Sequence, residues 1–365
     1  MLFALGSNGS GQLGLSHDED TSTPTAVASL DHDRTRRIKQ IAAGGNHTLI
    51  LYEDGSLVAT GYGSDSRCGL AGKQGLVRPL PMLIRPAITY ELTAKILQVS
   101  ATWSASFLLC ADGRTVLACG TGKSGELGLG AGVLSVPSAQ NIPDFPPAGM
   151  GVIHLSSCMA HTIAVLSNGQ VYGWGKGRKG QLGLPLADAW SPRLIQGLPF
   201  TATKAACGKD FTCITGEPAR NELLVLGPGS RDRFGIQASV PAAIAGWKNV
   251  VASWGSIYIH MHNGDVLSWG RNDHGQLCPA GLPAIAAIAA GSEHAVALTS
   301  EGRVLAWGWG EHGNCGEPSD DRGDVNGHWN ELLIPHKASA IFAGCATTFV
   351  VSEREESNLS TTSQR

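Results

Sequence analysis

Residues 171–184 read VYGWGKGRKGQLGL: an apolar run ending in Trp-Gly, a glycine-rich turn, and a closing Gly-Gln-Leu-Gly. Relatives of this stretch stand, without gaps, at 2–15 (LFALGSNGSGQLGL), 57–70 (LVATGYGSDSRCGL), 116–129 (VLACGTGKSGELGL), 223–236 (LLVLGPGSRDRFGI), 266–279 (VLSWGRNDHGQLCP) and 304–317 (VLAWGWGEHGNCGE). A second motif, IKQIAAGGNHTLILYEDG at 38–55, recurs at 96–113, 152–169, 203–217, 248–264, 285–302 and 338–353. The chain is thus a repeat array with seven copies of each motif. Self-similarity at this period decides the fold before any single residue does.

Within a repeat, two runs of β-forming residues, too short for helices, are followed by a turn pair and a third run. Asp54-Gly55, Asp112-Gly113, Asn168-Gly169, Asn263-Gly264 and Glu301-Gly302 supply the turn, with glycine able to take positive φ. These runs are strands A, B and C. A following segment carrying Pro24, Pro79, Pro137 or Pro192 reads as an outer strand D, where an edge tolerates proline. Four-stranded antiparallel sheets repeated in this way predict an all-β, seven-bladed β-propeller. Phase decides against an open solenoid: the chain begins with a C-type strand and ends with an A and a B, so the N-terminal strand, 2–5, is expected beside 348–352, closing the ring. The blades are numbered here by their C strands, from the copy at 2–15 onward. Only 279–284 remain for an outer strand in blade 6, which is expected to be vestigial. The propeller is assigned to 1–352, and the polar, Ser/Thr-rich 353–365 to a disordered tail.

Bulk composition narrows the function classes. Among 365 residues there are 48 glycines, roughly twice the ordinary share of about 7%, as repeated tight turns require. A net charge of −3 gives no overall bias toward nucleic acid or anionic membrane. Nine cysteines without a CxxC pair read as reduced core residues. No apolar run approaches the ~20 residues of a membrane helix, and the first residues carry no basic leader, so a cytoplasmic and nuclear location is expected.

The two motifs, of the form A-x-G-x-x-H-(T/S) and W-G-x-x-x-x-G-Q-L-G, resemble the repeats of the regulator of chromosome condensation family, a superfamily of seven-bladed propellers. The match covers nearly the whole chain. It is carried by Gly44-Gly45-Asn46-His47-Thr48, Met159-Ala160-His161-Thr162, Gly291-Ser292-Glu293-His294-Ala295, Gly11-Gln12-Leu13-Gly14 and Gly180-Gln181-Leu182-Gly183, and fades in blade 5. Residues 5–24, LGSNGSGQLGLSHDEDTSTP, are similar to the fungal alpha-tubulin suppressor subfamily. That resemblance implies a non-catalytic partner of a small, typically acidic zinc-ribbon electron carrier, bound as a heterodimer, serving diphthamide synthesis and, indirectly, Elongator-dependent modification of wobble uridine in tRNA. It implies neither membrane attachment nor direct nucleic-acid binding. The wider family also contains exchange factors for Ran-type GTPases. Against that alternative, the loop at Thr102-Trp103-Ser104 is not acidic, Cys119-Gly120-Thr121 opens a turn without an inserted wedge, and Asp210 is the only aspartate among the A-to-B loops. A generic interaction scaffold is the third reading.

Several constellations test for chemistry. His47, His161 and His294 share one repeat position, where the other blades are read as Ala105, Phe211, Ile257 and Thr347. A structural histidine bonding neighbouring backbone suits that distribution better than a metal set. No phosphate loop or nucleophile elbow is present, since Gly122-Lys123-Ser124 shares only the tail of the phosphate-loop pattern. No enzyme activity, cofactor or metal is therefore expected.

The channel-mouth positions are read as Gly45, Trp103, Met159, Lys209, Gly255, Ser292 and Cys345, a mixture suited to protein recognition. Parity fixes the face: in a meander the A-to-B and C-to-D loops emerge together, opposite the short B-to-C hairpins. On that face one basic patch is expected from Lys176, Arg178, Lys179, Lys209, Arg231 and Arg233. A second, aromatic and polar, is expected from Trp103, Arg271, Asp273, His274, Trp309, Glu311 and His312, with Trp254 in the interface or between blades.

Overall fold

Each pair of motifs builds one antiparallel sheet. A computed structural model describes residues 1–28, 36–68, 88–89 and 95–353. Blade 2 comprises Ile38–Ala43, His47–Tyr52, Leu57–Gly61 and the short Ile88–Thr89. Blade 3 comprises Ile96–Ala101, Ala105–Cys110, Val116–Thr121 and Ser135–Asn141, and blade 4 Val152–Cys158, His161–Leu166, Val171–Gly175 and Ala189–Leu194. Blade 7 comprises Ile285–Ala290, His294–Thr299, Val304–Trp309 and Asp324–Leu332. Pro24, Pro137 and Pro192 lie in outer strands as expected. Pro79 and the expected tail beyond Glu353 lie outside the described residues.

Two blades have three strands. Blade 6 (Trp247–Ala252, Ser256–Met261, Val266–Gly270) lacks an outer strand, as the length of 279–284 requires. Blade 5 (Lys204–Cys207, Thr212–Thr215, Leu223–Leu226) lacks one for a different reason. There the Asp232 carboxylate accepts the backbone N–H groups of Ile236, Gln237 and Ala238 and curls the chain behind a short 3-10 turn, Gly229–Arg231. The local turn captures donors that a sheet ladder would have used.

Blade 1 closes the ring. Leu2–Gly6 pairs with Thr347–Ser352 from Leu2 opposite Val351 to Gly6 opposite Thr347, flanked by Ala338–Gly344 inside and Thr21–Ala26 outside. Ser352 N–H donates to the Met1 carbonyl at 2.9 Å, and the terminal ammonium donates to the Ser352 carbonyl at 2.9 Å.

The repeat motifs have physical explanations in the contacts between elements. At the end of strand C, Gly6, Gly61, Gly120, Gly175, Gly270 and Gly308 have φ from 97 to 114°. A Cβ there would lie 2.2 to 2.7 Å from an A-to-B loop carbonyl oxygen, so no other residue fits. In the Gly-Gln-Leu-Gly turn the leucine is core (Leu13, Leu127, Leu182), while the Gln12, Gln181 and Gln276 amides accept a backbone N–H two residues back. The backbone carbonyl of each glutamine receives a donor from the next blade, Thr60 Oγ1 on Gln12, Thr212 Oγ1 on Gln181 and Trp307 Nε1 on Gln276, where Tyr258 Oη of the same blade adds a second. The core accordingly lies between blades, with Trp174 and Trp307 wholly buried.

His47, His161 and His294 are part of the same seam. Each Nε2 meets a hydroxyl of the next blade, Ser106, Thr212 and Thr348, at 2.8 to 2.9 Å. Those hydroxyls spend their own protons on the carbonyls of Arg67, Gln181 and Asn314, so each must accept from Nε2–H. The partner is thus a hydroxyl rather than the backbone expected from sequence. Strand pairing also corrects the alignment: Ser256, opposite Gly270, occupies the histidine position in blade 6, not Ile257. Burial lowers these imidazoles to about 3 for His47, with Arg67 adding to it, and about 4 for His161 and His294.

Deleting residues 1–6 removes the closing strand and is expected to cost several kcal/mol, roughly the burial of three large apolar side chains; an unchanged melting temperature would refute closure. The histidines predict a pH dependence. Unfolded rings titrate near 6.5, so below that pH the unfolded chain binds more protons, and stability falls from about pH 6.5 toward 4. Each contributes up to about 1.4 kcal/mol per pH unit, and His161→Asn should flatten the slope of urea-unfolding free energy against pH by one such share.

Candidate functional site: the mouth of the central channel

Parity places the variable loops together, and the backbone ties them. C-to-D loop N–H groups donate to A-to-B loop carbonyls in six blades: Ser7 to Ala346, Tyr62 to Asn46, Thr121 to Ser104, Lys176 to Ala160, Arg271 to Gly255 and Trp309 to Glu293. The A-to-B loops also bond around the axis: Gly45 N–H to Trp103 O, Trp103 to Met159, Lys209 to Trp254, Trp254 to Ser292, and Ser292 to Gly344, at 2.8 to 3.0 Å. These bonds correct another alignment, for Trp254, and not Gly255, is the mouth residue of blade 6.

Trp103 and Trp254 face each other across the mouth with ring centroids 6.0 Å apart, tilted by 44°. Trp103 is 40% exposed, and a Cβ on Gly45 would come within 2.6 Å of its ring. The Lys209 ammonium stands 5.1 Å from the centroid of Trp254, a cation–π contact. Below the rings is a cavity of about 110 Å³ lined by Met159, Cys158, Cys207 and Cys345. Burial holds these thiols protonated, Cys207 at about 12 and Cys345 at about 11. No disulfide joins the cysteines among the described residues.

The expected basic patch assembles on blades 4 and 5, with part of its charge spoken for. Lys179 pairs with Asp210 at 2.6 Å and Arg178 with Asp188 at 3.0 Å. Lys176, Lys209, Arg231 and Arg233 are exposed and carry no ion pair among the described residues. Beside them Leu184, 79% exposed, and Leu186, 60% exposed, form an apolar tip on the C-to-D loop of blade 4.

The second patch divides. Trp103 belongs to the mouth, and the remainder forms a network on blades 6, 7 and 1. Arg271 grips Asp273 through Nε and Nη2 at 2.6 and 3.0 Å, and reaches Glu293 through Nη1 at 2.5 Å. Gln276 bridges the same two carboxylates. Arg271 holds Asp273 down at about 2. Glu293, 3% exposed, is pushed above the usual carboxylate range by burial, opposed by Gln276 and Arg271. His274 stacks on Trp309 at 5.0 Å and bonds Asp324 at 2.8 Å, and His312 bonds Asp20 at 2.7 Å across the closure. Glu311 is exposed. Phe234 joins the patches, lying under both Arg233 and Arg271.

Sequence reading missed Leu184, Leu186, Phe234, Gln276 and Glu293. Glu293 stood inside the histidine motif and Gln276 inside the Gly-Gln-Leu turn, so both were absorbed as repeat residues. Leu184-Pro185-Leu186 carried a usable signal, two large apolar residues about a proline in a turn. Among the described residues no group of three or more His, Cys, Asp or Glu side chains is placed to hold a metal.

Comparison with known proteins places this geometry. A family model described as an RCC1-like domain matches residues 1–350. An RCC1 repeat-containing protein of Schizosaccharomyces pombe is 33% identical over 97% of this chain and 99% of its own length. The secretion-regulating guanine nucleotide exchange factor of Bos taurus is 28% identical over 87% of this chain and 76% of its own. The solved structure of Prp20p from Saccharomyces cerevisiae, described with its binding to Gsp1p and histones, superposes with a TM-score of 0.80 at 20% identity, covering 97% of this chain and 92% of that one. That last likeness is one of fold.

The Arg271 clamp makes its own prediction. Arg271→Met leaves the Glu293 carboxylate buried without its guanidinium and should cost roughly 3 kcal/mol, most of it regained in the double variant with Glu293→Gln. Chemical unfolding of both variants measures it, and equal losses in the two would show that the pair contributes nothing specific.

Proposed function

This chain belongs to the RCC1-like domain family, and on that premise we propose that it is a non-catalytic protein-binding propeller whose channel-mouth face receives a small acidic protein. The observation that carries this reading is that four exposed cations without an ion pair among the described residues, Lys176, Lys209, Arg231 and Arg233, share the mouth face with the Trp103 and Trp254 rings and the Leu184–Leu186 tip, Lys209 lying against Trp254 itself. Cations steer an acidic partner into encounter, and desolvated aromatic and leucine side chains hold it. The resemblance of residues 5–24 to the alpha-tubulin suppressor subfamily supports a zinc-ribbon electron carrier as that partner, in the service of diphthamide synthesis and tRNA wobble-uridine modification.

A second reading, exchange factor for a small GTPase, is favoured by the names of relatives: the bovine secretion-regulating guanine nucleotide exchange factor and the human regulator of chromosome condensation, 25% identical over 88% of this chain. Two measurements separate them. Affinity purification followed by mass spectrometry and zinc analysis should recover a small Cys-rich zinc protein under the first reading. Accelerated release of labelled GDP from a copurifying GTPase would support the second and displace the first.

Charge reversal at Lys209 and Arg231 is expected to slow association and weaken its salt dependence, whereas Trp103→Ala should accelerate dissociation by an amount equivalent to roughly 2 kcal/mol. Surface plasmon resonance at several salt concentrations reads both. Unchanged kinetics in every variant would move the interface off this face.

A further inference from the structure

The channel does not end at the tryptophans. A second cavity of about 260 Å³ continues along it, sharing Ala43, Ala101, Ser157, Cys207 and Ala252 with the mouth cavity. It runs toward the opposite face, where strands A begin, and its walls there are polar: Gln40, Gln98, Ser100, His154, Ser156 and Lys204. Among the described residues no carboxylate lines either cavity.

Most of these groups are committed to neighbouring blades. Gln40 bonds both the carbonyl and the N–H of Val99, Gln98 does the same at Leu155, and His154 Nε2 donates to the Ala205 carbonyl at 2.9 Å. One donor group is left over. Ser156 Oγ accepts from Cys207 N–H at 3.0 Å and turns its own proton to the Cys207 sulfur, whereas the largely buried Lys204 ammonium bonds Asn249 Oδ1 and keeps two N–H groups. Burial lowers the Lys204 ammonium below the usual lysine range, the mark of a cation without a counter-charge. Around the same end stand Lys39 and Lys248, whose ammonium groups meet only the carbonyls of Leu97 and Ala286, at 2.7 and 3.1 Å. None of the three lysines has an ion pair among the described residues. Carboxylates of that face lie in the outer hairpins: Asp54 pairs with Arg36, Glu222 with Arg220 and Glu301 with Arg303, while Glu53, Asp112, Glu217 and Asp265 of the same hairpins carry no ion pair among the described residues and line neither cavity.

We propose that the far half of the channel is an anion-binding site, taking a phosphate-class anion on Lys204, with Lys39 and Lys248 drawing it in from the rim. Three lysines at one end of the channel, with no acid in its lining among the described residues, favour a multiply charged oxyanion over a single carboxylate, since lysine serves phosphate as a point charge. The cavity holds several times the ~30 Å³ share of one water molecule, enough for a phosphate with part of its hydration. This site is separate from the mouth face, and its occupancy does not depend on the identity of the protein partner.

Titration of the full chain with inorganic phosphate, diphosphate and glycerol phosphate at constant ionic strength tests it. Histidine NMR and thermal unfolding are the readouts. Burial, and after it the Lys204 charge, hold the His154 imidazole at about 4, so a bound anion that neutralises Lys204 should raise it by the lysine's share. It should also raise the melting temperature. Lys204→Met should weaken the response by at least about tenfold, while Lys123→Met, on the mouth face, leaves it intact. A stronger response to inorganic phosphate than to the monoester would mark the free ion as ligand, and the reverse order the phosphate end of a larger molecule. Should Lys204→Met fold poorly, the Lys39→Met, Lys248→Met pair supplies the same comparison at the rim. An unmoved His154 resonance, or stabilisation that persists equally in the lysine variants, would overturn the site.

Discussion

Every blade of this molecule buries its faces against its neighbours, and that requirement makes ring closure the condition on which the rest depends. An isolated sheet of three or four short strands would leave both faces in water. Seven of them stacked around an axis bury all faces only if the last meets the first, which pairing Leu2–Gly6 with Thr347–Ser352 accomplishes. The clusters reflect this: Phe3 and Leu5 pack with blade 7 residues such as Trp307 and Val325, while Leu2 and Ala4 pack with Ile50 and Val58 of blade 2. A five-residue strand thus serves two seams.

Hydrogen bonding repeats the same logic. In four blades the glycine of the B-to-C hairpin accepts the first N–H of the next blade's inner strand: Gly55 from Ile96, Gly113 from Val152, Gly264 from Ile285 and Gly302 from Ala338. Histidine-to-hydroxyl bonds and glutamine carbonyls do so at the other end. Because turn and seam residues carry the architecture, side chains at the tips of the A-to-B and C-to-D loops are released from it. They vary from Met159 to Lys209 to Trp254 without disturbing the ring, which is how a rigid scaffold comes to bear a specific surface.

Charge is distributed unevenly over that surface. Cations without an ion pair among the described residues lie on blades 4 and 5, whereas Glu19, Glu311 and Asp321 lie exposed on blades 1 and 7. A chain of net charge −3 therefore presents a polarised mouth face, which orients an incoming charged protein as well as attracting it. The far end of the channel is different again, with lysines near the axis and acids confined to the hairpins. Two surfaces of opposite construction sit at the two ends of one channel.

How much of this the sequence determined follows from the range of the interactions. Short-range signals, the Asp-Gly and Asn-Gly hairpins, the Trp-Gly ends and the Gly-Gln-Leu turns, specified seven sheets, their strand order and the face on which the loops emerge. Phase alone specified closure, because an unpaired C strand and an unpaired A and B must find each other. The loss of the outer strand in blade 5 was hidden, since it turns on one carboxylate, Asp232, capturing three backbone donors. The site was legible as a set of residues on one face but not as an arrangement. Which cations are left without an ion pair depended on Asp210 reaching Lys179 from the next blade and Asp188 reaching Arg178 from across the loop. Trp103 and Trp254, far apart in the chain, became a pair only through curvature that returns the ring upon itself. Charge pairing and distance across an axis are properties of three-dimensional placement, and no local pattern encodes them.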